Sequence, residues 1–491
     1  MTEGSAPAPA ERAGPRQMPA ERESGLFMSL SSLLAGAGKR RDSTLMTQGD
    51  PKRVIISFAM PIFLSQLFQQ LYSTADAWIV SEFLGDNAFG AVASSGNLIH
   101  LMISFFVGAS MGAGVVISRY FGAKDPERMS KAVHTSVLVS LLCGVLLTLI
   151  GTVLASYIPG WMKLNENLIP YAAAYLRWYF AGSVALVMYN TFKGIMNAVG
   201  DSKRPLYYLI VSSVLNVFLD WLFLGPLGLG VEWAAIATTI SQAASAGLCL
   251  LQLTRKGTVY ALSWSKLRMD RPILREVLRY GLPTGVQNSV IGLANVMVQT
   301  HINTFDEVGT NACAAYARIQ GFAFLPITSF SMSLTTYIGQ NLGAREYDRA
   351  RKGARFGIWC SMIMAEIIGV ILYVFARPLT AFFISDPDSI AIAVRQSQIE
   401  SLFFFLLSYS HCLAGIFRGA GKATVPMFVM LGVWCVFRIA YITVAMMIDH
   451  NITWLFWAYP ITWTISSIIY LIYFYKSDWL HGFEKKQPEA A

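Results

Sequence analysis

Apolar residues run in long blocks along this chain, and the polar positions between them fall in short clusters. A helix needs about 20 apolar residues to cross the hydrocarbon core of a bilayer. Runs of that length occupy 54–80, 90–118, 132–159, 168–190, 205–224 and 231–254. After a polar stretch they resume at 273–302, 312–338, 354–376, 388–417, 425–448 and 452–475. The pattern predicts an all-α integral membrane protein with twelve transmembrane helices. Composition supports it: 54% of the 491 residues are hydrophobic and 14% charged, against about 25% charged in a soluble domain. Mean hydropathy is +0.48. There are too few charges to coat a soluble surface.

The net charge of +9 comes from Lys and Arg in the short connections. Nucleic-acid binding would need them clustered with aromatics on a soluble module, so no nucleic-acid partner is expected. With both termini cytoplasmic, the inner connections hold 21 Lys and Arg, Lys193, Lys256 and Arg418 among them, and the outer ones only Lys163 and Arg377. Such a bias sets orientation and predicts a multi-pass protein of the cell membrane. Residues 1–50 read as a disordered cytoplasmic tail with room for a short interfacial helix at 26–34. The basic triplet Lys39-Arg40-Arg41 follows that stretch instead of preceding it, unlike a secretory signal. Residues 477–491 read as a second cytoplasmic tail. The six cysteines all lie in apolar runs without a C-x-x-C, so neither a disulfide framework nor a metal cluster is expected. The six histidines are scattered, and no clustered motif speaks for an enzyme.

The chain repeats itself at an offset of 221 residues. Gly122-Ala123-Lys124 recurs as Gly343-Ala344-Arg345, and Glu127-Arg128 as Asp348-Arg349. Gly194-Ile195 recurs as Gly415-Ile416, Gly200 as Gly421, Pro205 as Pro426, Trp233 as Trp454 and Ala237 as Ala458. Pro61 is one residue out of register with Pro283. Six spans per copy make both copies enter from the same side, related by an axis along the membrane normal. The domains are then an N-lobe at 51–254, a basic linker at 255–275 and a C-lobe at 276–476.

Ionisable groups inside spans cost roughly 2.5–3.5 kcal/mol each on insertion scales and call for a reason. They are Asp76, Arg177, Asp220, Arg318, Glu366, Arg395, Glu400 and Arg438. Asp76 follows Pro61 in the first span, and an interior Pro bends a helix, which makes Pro61 a hinge candidate. Asp220 and Asn216 share one helix face at i, i+4. Their oxygens suit a hard cation such as Na⁺. The same carboxylate can instead carry a proton, because burial disfavours its charged form. At the 221 offset Asp220 becomes Tyr441, Asn216 becomes Phe437 and Asp76 falls on Met297 or Val298. The scaffold is doubled and the acidic pair is not. Glu400 is the best acid of the second half, with a structural role favoured, and the arginines read as snorkelling or paired. Gln69 and Asn190 are candidate cavity residues.

The chain resembles the MATE family (multidrug and toxic compound extrusion) over about residues 47–476. The resemblance rests on Pro61-Ile-Phe-Leu-Ser-Gln, Leu71-Tyr-Ser-Thr-Ala-Asp76-Ala-Trp-Ile-Val and Glu82-Phe-Leu-Gly85. With them go Tyr120-Phe-Gly-Ala123, Asn197-Ala-Val-Gly-Asp201 followed by Pro205, and Asn216-x-x-x-Asp220. It implies two six-helix lobes in a V and export of cationic amphipathic compounds against Na⁺ or H⁺, by a monomer without cofactors. In the DinF-like branch the cation site lies in the N-lobe. The matching positions here are Asp76, Asn216, Asp220, Thr238 and Tyr175, with the Ala234 carbonyl one turn before Thr238. The NorM-like branch uses acids in spans seven and ten, and here span seven offers only Gln287 and Asn288. Many relatives carry Pro after the span-five Asp, where this chain has Trp221. The expected function is drug/cation antiport by alternating access. The alternative is a lipid-linked oligosaccharide flippase, which would favour basic cavity residues such as Arg177 and Arg438.

Overall fold

The structure, a computed structural model, describes residues 45–483 apart from 162, 163, 165 and 256. The helix expected at 26–34, most of both tails, Lys163 and Lys256 lie outside the described residues. Among the described residues, twelve long helices follow in the predicted order, beside short turns at Ile158–Trp161 and Ala376–Ala381. A helical run Pro51–Gly122 breaks at Gly85 (φ 76°, ψ −177°) into α1 (Pro51–Gly85) and α2 (86–122). Only glycine enters that region freely. Next come α3 (Pro126–Leu154), α4 (169–198, interrupted at Gly182), α5 (Lys203–Leu224) and α6 (Glu232–Leu253). The second half has α7 (Arg271–Ile302), α8 (Glu307–Gly343), α9 (Tyr347–Val374), α10 (Pro387–Gly419), α11 (Thr424–Ile448) and α12 (Thr453–Lys476). Among the described residues there is no strand, and nine helices are long and apolar enough to cross a membrane. The other three are α4, α7 and α8. The first is split, and the latter two carry polar side chains that meet the opposite half, Asn288 donating to the Ser104 carbonyl and Thr328 to Gln66 Oε1.

Local chemistry starts the helices where the sequence changes character. Asp50, Asp125, Asp270, Asp306 and Asp386 cap α1, α3, α7, α8 and α10, each carboxylate accepting a first-turn N–H. Such a cap is worth about 1 kcal/mol. Proline follows within two residues in all but α8, where its missing N–H costs nothing.

The duplication is visible in geometry. α2, α3, α5 and α6 start 221 residues before α8, α9, α11 and α12. The interruption of α4 at Gly182 matches a 3-10 turn at Ser401–Phe403 in α10. Gly200 and Gly421 share a positive φ. One feature is unpaired: α11 carries a π-helical stretch, Leu431–Phe437, with no counterpart in α5.

The halves are sealed together at the end bearing the basic connections, called here the basic face. A Cβ on Gly112 would run into the Gly281 backbone, and one on Gly108 would sit 2.7 Å from Gly285 Cα. Two G-x-x-x-G faces, Gly108/Gly112 of α2 and Gly281/Gly285 of α7, therefore let the backbones touch, as small residues do between membrane helices. Closer to the face, Gly122 lies against the Gln340 carbonyl and Gly343 against the Arg119 carbonyl. These contacts exchange under the 221 offset, so a pseudo-two-fold axis passes between the ends of α2 and α8. The first turns of α1 also belong to this seal. Ile55, Phe58, Ala59 and Ile62 pack with Phe330, Leu334 and Ile338 of α8.

Several sequence expectations need correction. Residues 45–50 are no loose tail. Met46 is buried, its N–H donates to Gln340 Oε1 at 2.8 Å, and its carbonyl accepts from Asn341 and Arg349. The guanidinium of Arg349 also reaches the Gln48 and Gly49 carbonyls. A strap of backbone acceptors explains this order, because Arg carries five fixed donors. Residues 477–483 likewise fold back, burying Trp479 and placing the Phe483 ring 4.5 Å from the Arg119 guanidinium. The linker ends at 270, because the Asp270 cap starts α7 before its basic residues. Lys193 and Arg418 are not loop cations. Lys193 sits within α4, 5.9 Å over the Tyr189 ring, and Arg418 is buried in α10, donating to Ser331 Oγ.

Gln340 links three segments, since its Nε2 also donates to the Ala198 carbonyl at 2.8 Å. Gln340→Ala should leave Met46 N–H and Ala198 C=O unpaired at roughly 1–3 kcal/mol each. The expected result is a lower unfolding temperature in detergent; an unchanged one would show that water replaces both bonds without loss.

Candidate functional site

The acids flagged as misplaced in a membrane come together in the first half. Asp76 (α1) and Asp220 (α5) bring their carboxyl groups within hydrogen-bonding reach of each other. Tyr175 (α4) faces both, and Tyr72, one turn before Asp76, joins it with Tyr179. The Tyr175 and Tyr179 rings lie 5.9 Å apart. Four helices thus contribute to one polar pocket, the fourth being α6 through Gln242, which neighbours Tyr72. Hydrophobic packing holds it. Ile79, Val80, Leu176, Phe180, Leu224 and Ala235 form one cluster with Tyr175 and Ala234.

The pocket holds several buried polar atoms without partners, most of them acceptors, with Asn216 Nδ2 the one donor among them. Asp220 is fully buried and Asn216 is 1% exposed, while Asp76 remains partly open. Both Asp220 oxygens, Asp76 Oδ1, Asn216 Oδ1 and Gln242 Oε1 are buried and accept no hydrogen bond. Among the described residues no cationic side chain forms an ion pair with either acid. Like charges at this distance cannot both stay ionised without a compensating positive charge. The donor set is hard oxygen, two carboxylates and an amide. It fits a proton shared between the acids or a small hard cation.

The remaining expected residues divide. The Thr238 hydroxyl donates to the Ala234 carbonyl at 3.1 Å, so each keeps spare lone pairs, and Ala234 is buried. Gln69 is exposed on α1, one turn from Ser73, whose hydroxyl bonds its carbonyl. Asn190 is half-buried and turned onto its own helix, donating to the Leu186 carbonyl at 2.9 Å. α1 runs through Pro61, which is buried against the second half. Within Pro51–Gly122 the backbone leaves helical values only at Gly85.

The second half holds a buried carboxylate of different character. Glu400 is fully buried but accepts from Gln320 Nε2 and Gln396 Nε2, both at 2.8 Å. Arg438 lies close enough to feel its charge. Arg438 itself donates to Thr462 Oγ1 and sits 4.5 Å from the Tyr459 ring centre and 5.1 Å from that of Trp434. The π-helical stretch ends against this arginine. Arg177 is exposed and bonds Ser156 Oγ; Arg318 and Arg395 are exposed. Sequence reasoning did not single out Tyr72, Tyr179 or Gln242. Helical spacing could have found them, since Tyr72 precedes Asp76 and Tyr179 follows Tyr175 by one turn each, and Gln242 follows Thr238 likewise.

Comparison with known proteins adds the following. The MatE family model matches twice, at residues 61–222 and 283–444, which together make about two thirds of the chain. The second match starts 222 residues after the first, the step set by Pro61 and Pro283. The chain is 29% identical over 465 residues to the probable multidrug resistance protein YoeA of Bacillus subtilis, covering 90% of this chain and 97% of that one. Its fold is similar to that of a MOP-superfamily transporter from Pyrococcus furiosus, described as having a binding pocket of reversed polarity. The TM-score is 0.84 at 21% identity, over 90% and 98% of the two chains. A multidrug resistance transporter solved in an outward-facing conformation gives a TM-score of 0.81 at 21% identity, over 87% and 96%.

Proposed function

Since the chain belongs to the MatE family, and is therefore a multi-pass membrane transporter and not an enzyme, we propose that it is a secondary antiporter exporting cationic amphipathic compounds against Na⁺ or H⁺. The observation that carries this reading is the Asp76–Asp220 pair, without a cationic side chain in ion-pair contact among the described residues and present in one repeat only. A lone acidic pair in lipid is a functional feature by default. Its charge must be compensated by an ion or by the cargo, and the two compete. Binding of one weakens binding of the other by the same factor, as linkage requires. Asn216, Thr238 and the Ala234 carbonyl would complete the oxygen shell, with Tyr175 closing it.

The basic face is the cytoplasmic one in this proposal, following the bias of Lys and Arg. The halves are sealed there, so the pocket opens to the opposite side and takes its coupling ion from outside. Export then requires the seal to part. The flippase reading is weaker. The basic residues it would use are engaged, Arg438 with Thr462 and two rings, Arg177 with Ser156.

Proteoliposomes with separately imposed Na⁺ and proton gradients test the proposal. Uptake of a cationic dye should follow one gradient in the opposite direction and should persist when the membrane potential is clamped. Dye movement indifferent to both gradients would overturn antiport.

A further inference from the structure

The pseudo-two-fold axis between α2 and α8 opens at the basic face into a cavity of about 880 Å³. That volume lies within the range of small-molecule sites, about 300–1,000 Å³. It is lined by both copies of the repeated loop, Gly122-Ala123-Lys124 and Gly343-Ala344-Arg345, and by Arg119 and Arg128. Lys124 and Arg345 are the equivalent residues of the two repeats. They are also the two non-glycine residues with positive φ, 54° and 60°, among the described residues. A side chain in that region costs roughly 1–2 kcal/mol, which glycine avoids. The protein carries this cost twice, each time for a cation facing the same cavity.

The charges around the cavity are not balanced. Arg128 lies 3.6 Å from Asp125, whose carboxylate also caps α3, and Arg119 lies 3.8 Å from Glu276 of α7. Glu346 is the remaining acid of the lining. Lys124 and Arg345 have no ion pair among the described residues, and both are exposed. A helix-end cation can also offset the negative end of the helix dipole. The left-handed backbone closes both helix ends, Asp125 N–H donating to the Tyr120 carbonyl and Glu346 N–H to the Asn341 carbonyl; glycine takes that position at Gly200 and Gly421, whereas here it is a cation that lines the cavity both times.

We propose that this cavity binds a phosphate group, held between Lys124 and Arg345 with Arg119 and Arg128 behind them. The group comes from an anionic phospholipid headgroup or from a free phosphate-bearing solute. Because the two cations belong to different halves, the site exists only while the seal is closed. Bound phosphate therefore favours the sealed arrangement, as any ligand favours the state it binds better.

The test uses the full chain, the Lys124→Gly/Arg345→Gly double variant and the Lys124→Arg/Arg345→Lys exchange, each in phosphatidylcholine nanodiscs. Glycine suits the backbone at both positions, so the double variant should unfold at an equal or higher temperature. Inorganic phosphate should raise the unfolding temperature of the full chain and of the exchange variant. The double variant should need at least about tenfold more for the same shift, in keeping with the loss of two charge-assisted contacts. That outcome assigns a free anion. Phosphatidylglycerol retained by the first and third proteins in native mass spectrometry, and lost by the double variant, assigns a lipid headgroup. If neither probe binds the full chain, or the double variant binds both as tightly, the proposal fails.

Discussion

Asp76→Asn should abolish export while the protein still reaches the membrane in normal amount. The amide keeps the shape of the side chain but can neither hold a proton nor neutralise a cation beside Asp220. It also removes the like-charge conflict between the two acids, so the fold should be no less stable. What disappears is the coupling between ion and cargo. Coupling free energies of 1–3 kcal/mol correspond to factors of about 5–150, so the gradient-driven part of transport should fall by up to about 150-fold. Drug resistance of cells expressing the variant, normalised to membrane protein level, measures this. Full resistance would remove Asp76 from the mechanism. Asp220→Asn should behave alike, because the two carboxyl groups share one pocket and one compensating charge serves both.

Gly281→Val should be nearly as damaging for a reason unrelated to the ion. The Gly281 position faces the Ala109 carbonyl, with 2.5 Å available to a Cβ. A branched side chain cannot enter without moving α7 away from α2. Overpacking of this kind costs about 1–3 kcal/mol, occasionally more, and it falls on the sealed arrangement alone. The balance between sealed and parted forms should shift about 10- to 100-fold. Pulsed electron–electron distances between labels on the two halves at the basic face should lengthen, and export should stall. An unchanged distance distribution with normal export would mean that this contact is not part of the working cycle. Gly112→Ala on the facing helix should produce the same shift in milder form.

Both results depend on features of different legibility. The twelve spans were readable because lipid imposes a long apolar run on nearly every helix. α7 and α8 are less apolar, and part of their polar surface meets the opposite half, Asn288 at the Ser104 carbonyl and Thr328 at Gln66 Oε1. The acidic pair was readable because Asp76 and Asp220 violate the apolar rule and break the repeat. Their meeting across α1 and α5 is a tertiary fact that no local pattern contains. Lys193 and Arg418 were misplaced because a cation near the end of an apolar run looks like a loop residue. Arg418 instead finds Ser331 Oγ of α8, and Lys193 an aromatic face. The strap at 45–49 rests on Gln340, Asn341 and Arg349, about 300 positions away in sequence. The glycine seam was written in the sequence as two G-x-x-x-G steps, but nothing local says that they face each other.

The division of α1 has a consequence for how the chain comes apart. Its first turns are packed among the helices of the second half, and its later turns carry Asp76 into the first. A cut in the stretch 255–270 would therefore not yield two free halves. The fragment ending there would still have its leading helix threaded into the other, with the strap before that helix clasped by Arg349. Separately made fragments should find each other through that exchanged helix, much as swapped segments join subunits. The connecting loop then fixes which copies are neighbours, and the helix decides how they fit.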